Sequence, residues 1–336
     1  MVYTMTNGTA GNSVLAYMRA ADGTLVNTAT VPTGGTGVGQ SLGNQGALTL
    51  SGDGRFLYVV NPASNDLSVF RVTDTTLQLT DRVPTAGTLP ISVAEWNGVV
   101  YVLNRNGSSG AGSGSTIQGF QVSASGMLSP IASSAIQLQP TDRDAIQIAI
   151  SPDWLWIVVT QRRANVIDVI PLNQNRTPGT PFSAPSIGNG PFGFAFSNEA
   201  RLYVSEAGSA TTSAYDIGSG GTLRVLSRAV PTRQGATCWL VITPDSDLVY
   251  VTNTASNSVS SYRIEQDGTL RLLVSVAATT SGGPLDAVVS EDGNYLSVLT
   301  LSSTVETFRI DPISGSLVSV QTVSGLPAGT NGLAGR

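Results

Sequence analysis

Tyr250-Val251-Thr252-Asn253 decides the fold, because the same pattern returns as Tyr58-Val59-Val60-Asn61 and as Tyr101-Val102-Leu103-Asn104. Variants ending at Asn7, Gln161, Glu206 and Thr300 bring the copies to seven. A fixed period of about 40 to 50 residues is the signature of propeller blades.

The surroundings of each copy share one frame. After Thr237, Cys238 to Thr243 reads as an inner strand a, and Pro244 to Asp247 as a turn. Leu248 to Asn253 is strand b, Ser258 to Ile264 strand c, Asp267-Gly268 a turn and Leu270 to Val276 strand d. Inner strands begin near Gln45, Pro90, Ala145, Pro191, Thr237 and Leu285, which makes six complete blades. Val2 to Asn7 reads as a strand b without a strand a, and Asn331 to Arg336 follows the last strand d without a partner. The two ends therefore complete a seventh blade, removing the edges of an open ring. The expectation is an all-β, seven-bladed propeller of four-stranded antiparallel blades spanning 1–336 as one domain.

Composition agrees and narrows the chemistry. With 41% hydrophobic residues, 37 Gly and 17 Pro in 336 residues, short strands and tight turns are favoured over helices. The apolar runs, such as Leu155 to Val159, are strand-sized, so no membrane span is expected. A net charge of −5 argues against a nucleic-acid partner, which demands a basic face. All 17 basic residues are Arg, His is absent, and Cys238 is the single cysteine. An internal disulfide, a His or Cys metal site, Ser-His and Cys-His nucleophiles and Schiff-base lysines are all excluded. No cofactor and no metal is expected, and catalysis falls to carboxylates, Arg, Tyr, amides and hydroxyls. Cys238, in an apolar strand, reads as a core residue.

In a propeller, strand a begins and strand b ends on one rim, here called the upper rim, and that rim is the default site. Its strand-b ends are Asn7, Asn61, Asn104, Gln161, Glu206, Asn253 and Thr300. Near its strand-a starts lie Gln45, Gln147, Phe192, Trp239 and Asp286. The recurring Asn suggests a structural duty, closing a turn through a side-chain to backbone bond. The exceptions carry more chemistry: Glu206 replaces the amide with a carboxylate, Arg105 follows Asn104, and Arg162 and Arg163 follow Gln161. Glu206 reads as a general base, a ligand anchor or a counter-ion for Arg162. Acidic turns such as Asp53-Gly54 and Asp292-Gly293 read as hairpin chemistry.

Gln45-Gly46-Ala47, Pro90-Ile91-Ser92-Val93-Ala94 and Gly235-Ala236-Thr237-Cys238-Trp239 resemble inner-strand openings of the lactonase-type seven-bladed propellers. Ser51-Gly52-Asp53-Gly54-Arg55 and Ser290-Glu291-Asp292-Gly293 resemble the turns that follow them. That family includes 6-phosphogluconolactonase and the carboxymuconate cyclases, so the resemblance implies opening or closing a lactone ring at the channel mouth. Catalysis in the cyclases is associated with His, Arg and Glu. Glu206 and the nearby Arg residues match, and the His has no counterpart. The strand-b repeat also resembles that of surface-layer propellers, which are not enzymes.

The expected function is a lactone hydrolase or lactone-forming cyclase acting on a small polar or carboxylated molecule. Glu206 would move a proton while Arg105 and Arg162 hold a carboxylate and stabilise oxyanion charge. Gln45, Asn61, Asn104, Gln147, Gln161, Phe192, Trp239, Asn253 and Asp286 would contact the ligand. The alternative is a non-enzymatic binding or cell-surface propeller. A monomer is expected. Met1 is either native or the start of a trimmed mature chain, and a secreted protein whose leader is absent from this chain is the preferred reading.

Overall fold

The structure, a computed structural model, describes residues 1–73, 76–106, 114–139 and 144–336. Seven antiparallel sheets form, six of four strands and one whose outer edge carries an extra two-residue strand. Blade two runs from Leu48–Leu50 to Leu77–Pro84, blade three from Thr88–Trp96 to Ile136–Gln137, and blade four from Ala145–Ile150 to Phe182–Pro185. Blade five runs from Pro191–Phe196 to Leu223–Pro231, blade six from Thr237–Ile242 to Leu270–Thr279, and blade seven from Pro284–Val289 to Leu317–Ser324. Blade one joins the two ends: Asn331–Gly335 pairs antiparallel with Val2–Met5, with Val2 opposite Gly335 and Met5 opposite Asn331. Among the described residues no helix is long and apolar enough to cross a membrane.

Burial is greatest in the b strands and explains the sequence pattern. The b strands Phe56–Asn61, Trp156–Gln161, Leu248–Asn253 and Tyr295–Thr300 are buried at every residue, since each sheet is covered on both faces by its neighbours. Their near-continuous apolar runs are therefore the repeat's clearest signal. The d strands, such as Leu77–Pro84 and Leu317–Ser324, keep one buried end and otherwise face outward.

The acidic turns between strands a and b are built alike, as hairpin chemistry. Ser51, Ser151 and Thr243 donate their hydroxyls to Asp53, Asp153 and Asp245 at 2.7, 2.5 and 2.6 Å. The same hydroxyl oxygens accept the N–H groups of Phe56, Trp156 and Leu248, fastening the start of strand b. Burial alone would raise Asp53, but the Ser51 hydroxyl and the Arg55 N–H and guanidinium outweigh it and hold the carboxyl at about 2.

One position in the repeat is corrected. The first b strand stops at Met5, and Asn7 lies beyond it with a left-handed φ of 52°. Thr6 occupies the place that Asn61 and Asn253 fill elsewhere: its N–H donates to the Ser13 carbonyl and its hydroxyl accepts from the Ser13 N–H.

Candidate functional site at the upper rim

The expected strand-b ends do not open onto the channel. Asn7, Asn61, Asn104, Gln161, Glu206 and Asn253 are each 0% exposed. They lie buried in the blades, where Asn61, Asn104 and Gln161 fasten the connection arriving from the preceding blade, Asn7 holds the connection leaving its own blade, and Asn253 binds within blade six. Asn104 donates to the Thr85 carbonyl, Gln161 to the Gln139 carbonyl and to Asp168, and Asn7 to the Gln40 carbonyl. Asn61 receives the Thr33 and Asn12 side chains and donates to Asp66 and Ser68, while Asn253 receives Thr237 and donates to Ser258 and Ser260. Asn61 and Asn253 bond across the following turn to the side chains of Asp66 and Ser258, and longer-range bonds satisfy the rest, because a fully buried amide must find its partners inside the protein.

Glu206 does the same work as a carboxylate. It accepts from the Gly188 N–H at 2.8 Å, the Ser213 hydroxyl at 2.7 Å, the Ser186 hydroxyl at 3.1 Å and the Thr211 hydroxyl. Gly188 is required here, since a Cβ on it would lie 2.3 Å from Glu206 Oε2. No guanidinium is among these partners, so the expectation that Glu206 serves Arg162 as counter-ion is corrected: Arg162 is paired with Asp144. In blade seven, where the strand-b end is Thr300, Glu306 on strand c takes over and accepts the Ser281 N–H at 2.8 Å.

The strand-a positions turn inward and fill the channel. Phe192 and Trp239 meet edge to face with centroids 5.0 Å apart, and both are almost wholly buried. Trp239 Nε1 donates across the channel to the Asn44 carbonyl at 2.7 Å. Gln147 bridges to the next blade, donating to the Phe194 carbonyl at 2.9 Å and accepting its N–H at 2.8 Å. Asp286 accepts the Leu333 N–H at 3.0 Å, tying blade seven to the closing strand, and burial pushes its carboxyl up to about 8. Cys238 is buried among these groups as a free thiol, and burial pushes it up to about 11. These contacts leave a recess of about 80 Å³ beside Gln40, Ser41, Leu285 and Thr330 on the upper side. A cavity of about 370 Å³ lies instead in the lower half of the channel, walled by Val93, Ile148, Phe194, Leu240 and Val288.

What gathers on the upper rim is a charged cluster that includes a residue overlooked in the sequence. Asp144 accepts from Arg162 Nε at 2.9 Å and Nη2 at 3.4 Å, and Arg163 Nε lies 3.6 Å away. The Arg162 guanidinium sits 5.9 Å from the Phe192 ring centroid and its side chain is 40% exposed. Arg105 is anchored below, donating to the carbonyls of Leu42, Gly43 and Ala145 at 2.7, 3.0 and 3.2 Å. Burial lowers Arg105 to about 10, with Asp144 opposing and Arg162 and Arg163 adding to the shift. Asp144 stands directly before the strand Ala145–Ile150, outside the strand frame, so periodicity gave no signal for it. The neighbouring positions 107–113 and 140–143 lie outside the described residues.

A family model described as Lactonase, 7-bladed beta-propeller, matches residues 2–110 and 233–332. No curated protein matches the sequence. Among solved structures, a Bacteroides fragilis protein assigned as a 6-phosphogluconolactonase superposes with a TM-score of 0.78 at 18% identity, over 99% of this chain and 96% of that one. The periplasmic gluconolactonase of Pseudomonas aeruginosa gives a TM-score of 0.76 at 19% identity, over 98% and 99%. At these identities the likeness is one of fold.

Proposed function

This chain belongs to the lactonase family of seven-bladed β-propellers, and we propose that it hydrolyses a lactone of a small polar or carboxylated molecule at the upper rim. The observation that carries the reading is the forked pairing of Asp144 with Arg162 above Phe192, the one place among the described residues where the expected rim gathers an acid and partly exposed guanidinium groups. Asp144 takes a proton from the attacking water as its oxygen bonds to the lactone carbonyl carbon. Arg162 stabilises the negative charge that develops on the carbonyl oxygen. The ring C–O bond then breaks, and the proton held by Asp144 passes to the departing ring oxygen, giving a hydroxy acid. Run backwards, the same steps close a hydroxy acid into its lactone with release of water. Arg105 contributes positive potential from beneath, and Glu206 contributes by holding the blade-five seam on which Arg162 rests.

A panel of neutral, phosphorylated and carboxylated lactones tests this by acid release: at least one is consumed faster by the chain than by buffer. A second reading, a binding propeller without turnover, is favoured by the filled upper channel and by the full set of donors on Glu206. That reading stands if no lactone is consumed above the buffer rate.

A further inference from the structure

On the lower face, a cavity of about 570 Å³ opens in the seam between blades two and three, within the usual size of small-ligand sites. Its walls include Phe56, Tyr58 and Trp96, with Glu95, Arg55 and Asn97 at the polar side. Glu95 lines both this cavity and the lower channel cavity.

The cavity lies in a seam that lacks a contact made in two others. In the seam between blades three and four, the Tyr101 hydroxyl donates to the Arg176 carbonyl of the next blade's c–d hairpin at 2.8 Å. Between blades five and six, Tyr203 reaches Gly268 in the same way at 3.2 Å. Blade three holds its hairpin elsewhere: Arg71 donates to the Ala124 carbonyl at 3.1 Å and Thr80 to the Gly126 carbonyl at 3.3 Å. The Tyr58 hydroxyl is thereby left buried without a partner, and so is Trp96 Nε1 at the same cavity. The Tyr250 hydroxyl is unpartnered too, so the lack of a partner alone decides nothing. What sets Tyr58 apart is that it shares a cavity wall with a second unpartnered donor and with a carboxylate.

We propose that this seam binds a neutral, hydroxylated ring, a mono- or disaccharide, through Glu95, Tyr58 and Trp96. A sugar hydroxyl both accepts and donates, so one ring satisfies the stranded Tyr58 and Trp96 donors and also donates to Glu95. The aromatic walls suit the apolar face of such a ring. Asp53 and Glu95 disfavour an anion, while Arg55, paired with Asp53 at 2.5 Å, and Arg71, 5.2 Å from the Phe56 ring centroid, disfavour a cation. Both stranded donors are recessed from solvent, so entry displaces side chains at the outer wall, where Arg55 is 59% exposed.

The site is separate from the upper rim, and its test needs no turnover. The full chain is titrated with glucose, cellobiose and sodium gluconate, read by calorimetry and tryptophan fluorescence. A neutral sugar is expected to saturate the chain. Tyr58→Phe should weaken it about tenfold, the worth of one satisfied buried donor. The thermal midpoint should hold in that variant, because the lost hydroxyl has no partner in the chain. The proposal is overturned if neither neutral sugar saturates, if Tyr58→Phe binds like the parent, or if gluconate binds more tightly than both.

Discussion

Gln45 and Leu240, 195 positions apart, are joined across the central channel by two hydrogen bonds: Nε2 donates to the Leu240 carbonyl at 2.8 Å, and Oε1 accepts the Leu240 N–H at 3.1 Å. The side-chain amide behaves as a piece of backbone inserted between blades. It passes over Gly193, where a Cβ would lie 2.1 Å from Gln45 Oε1 and 2.8 Å from the Cys238 carbonyl. Gly193→Ala is therefore expected to cost about 1–3 kcal/mol by overpacking, read as a lower denaturation midpoint. Unchanged stability would mean that the crossing amide is not fixed.

Ring closure through the termini has its own test. Removing residues 331–336 takes away the inner strand of blade one and the Leu333 N–H that Asp286 accepts. The expected result is a fall in the melting midpoint on the order of 10 °C, since the ring regains open edges and loses several buried residues. An unaltered midpoint would show that the ring is held shut without this strand.

Glu206→Gln separates seam from chemistry. Glutamine offers one acceptor oxygen where the carboxylate offers two, and sets an NH₂ group against the donors around it. Stability should fall by about 1–3 kcal/mol, the cost of stranding buried donors. Lactone turnover per folded molecule should stay within about threefold of the parent; a loss in the hundred- to ten-thousandfold range of a general base would return Glu206 to a direct role in the reaction.

Asp286 gives a pH signature. An unfolded Asp ionises near 4, whereas burial raises this one to about 8, so between those values the native state holds a proton that the unfolded chain has lost. Stability should therefore decline as pH rises from about 4 to 8 and level off above. Asp286→Asn keeps an acceptor for Leu333 and should flatten the decline, measured as denaturant midpoints at pH 5 and 8.5. Equal slopes in the two proteins would contradict the assignment.

The fold was legible because a buried b strand writes its position twice, in the apolar run and in the polar residue that ends it, as in Tyr250 to Asn253. The reading slipped by one residue at Asn7, where the shortened blade-one strand hands the role to Thr6. The site was less legible. Strand register says on which rim a residue lies but not whether its side chain turns to the channel or to the seam, and Glu206 and Asn104 turn to the seam. Asp144 carried no periodic signal, and the Gln45 crossing depends on a contact between blades two and six that no local pattern encodes.

The most direct test is the lactone kcat/KM of the parent chain against Asp144→Asn, on whichever lactone is consumed fastest. If Asp144 takes the proton of the attacking water, the variant should fold normally and lose about a hundredfold or more. A folded Asp144→Asn protein that hydrolyses the lactone at the parent rate would contradict the account.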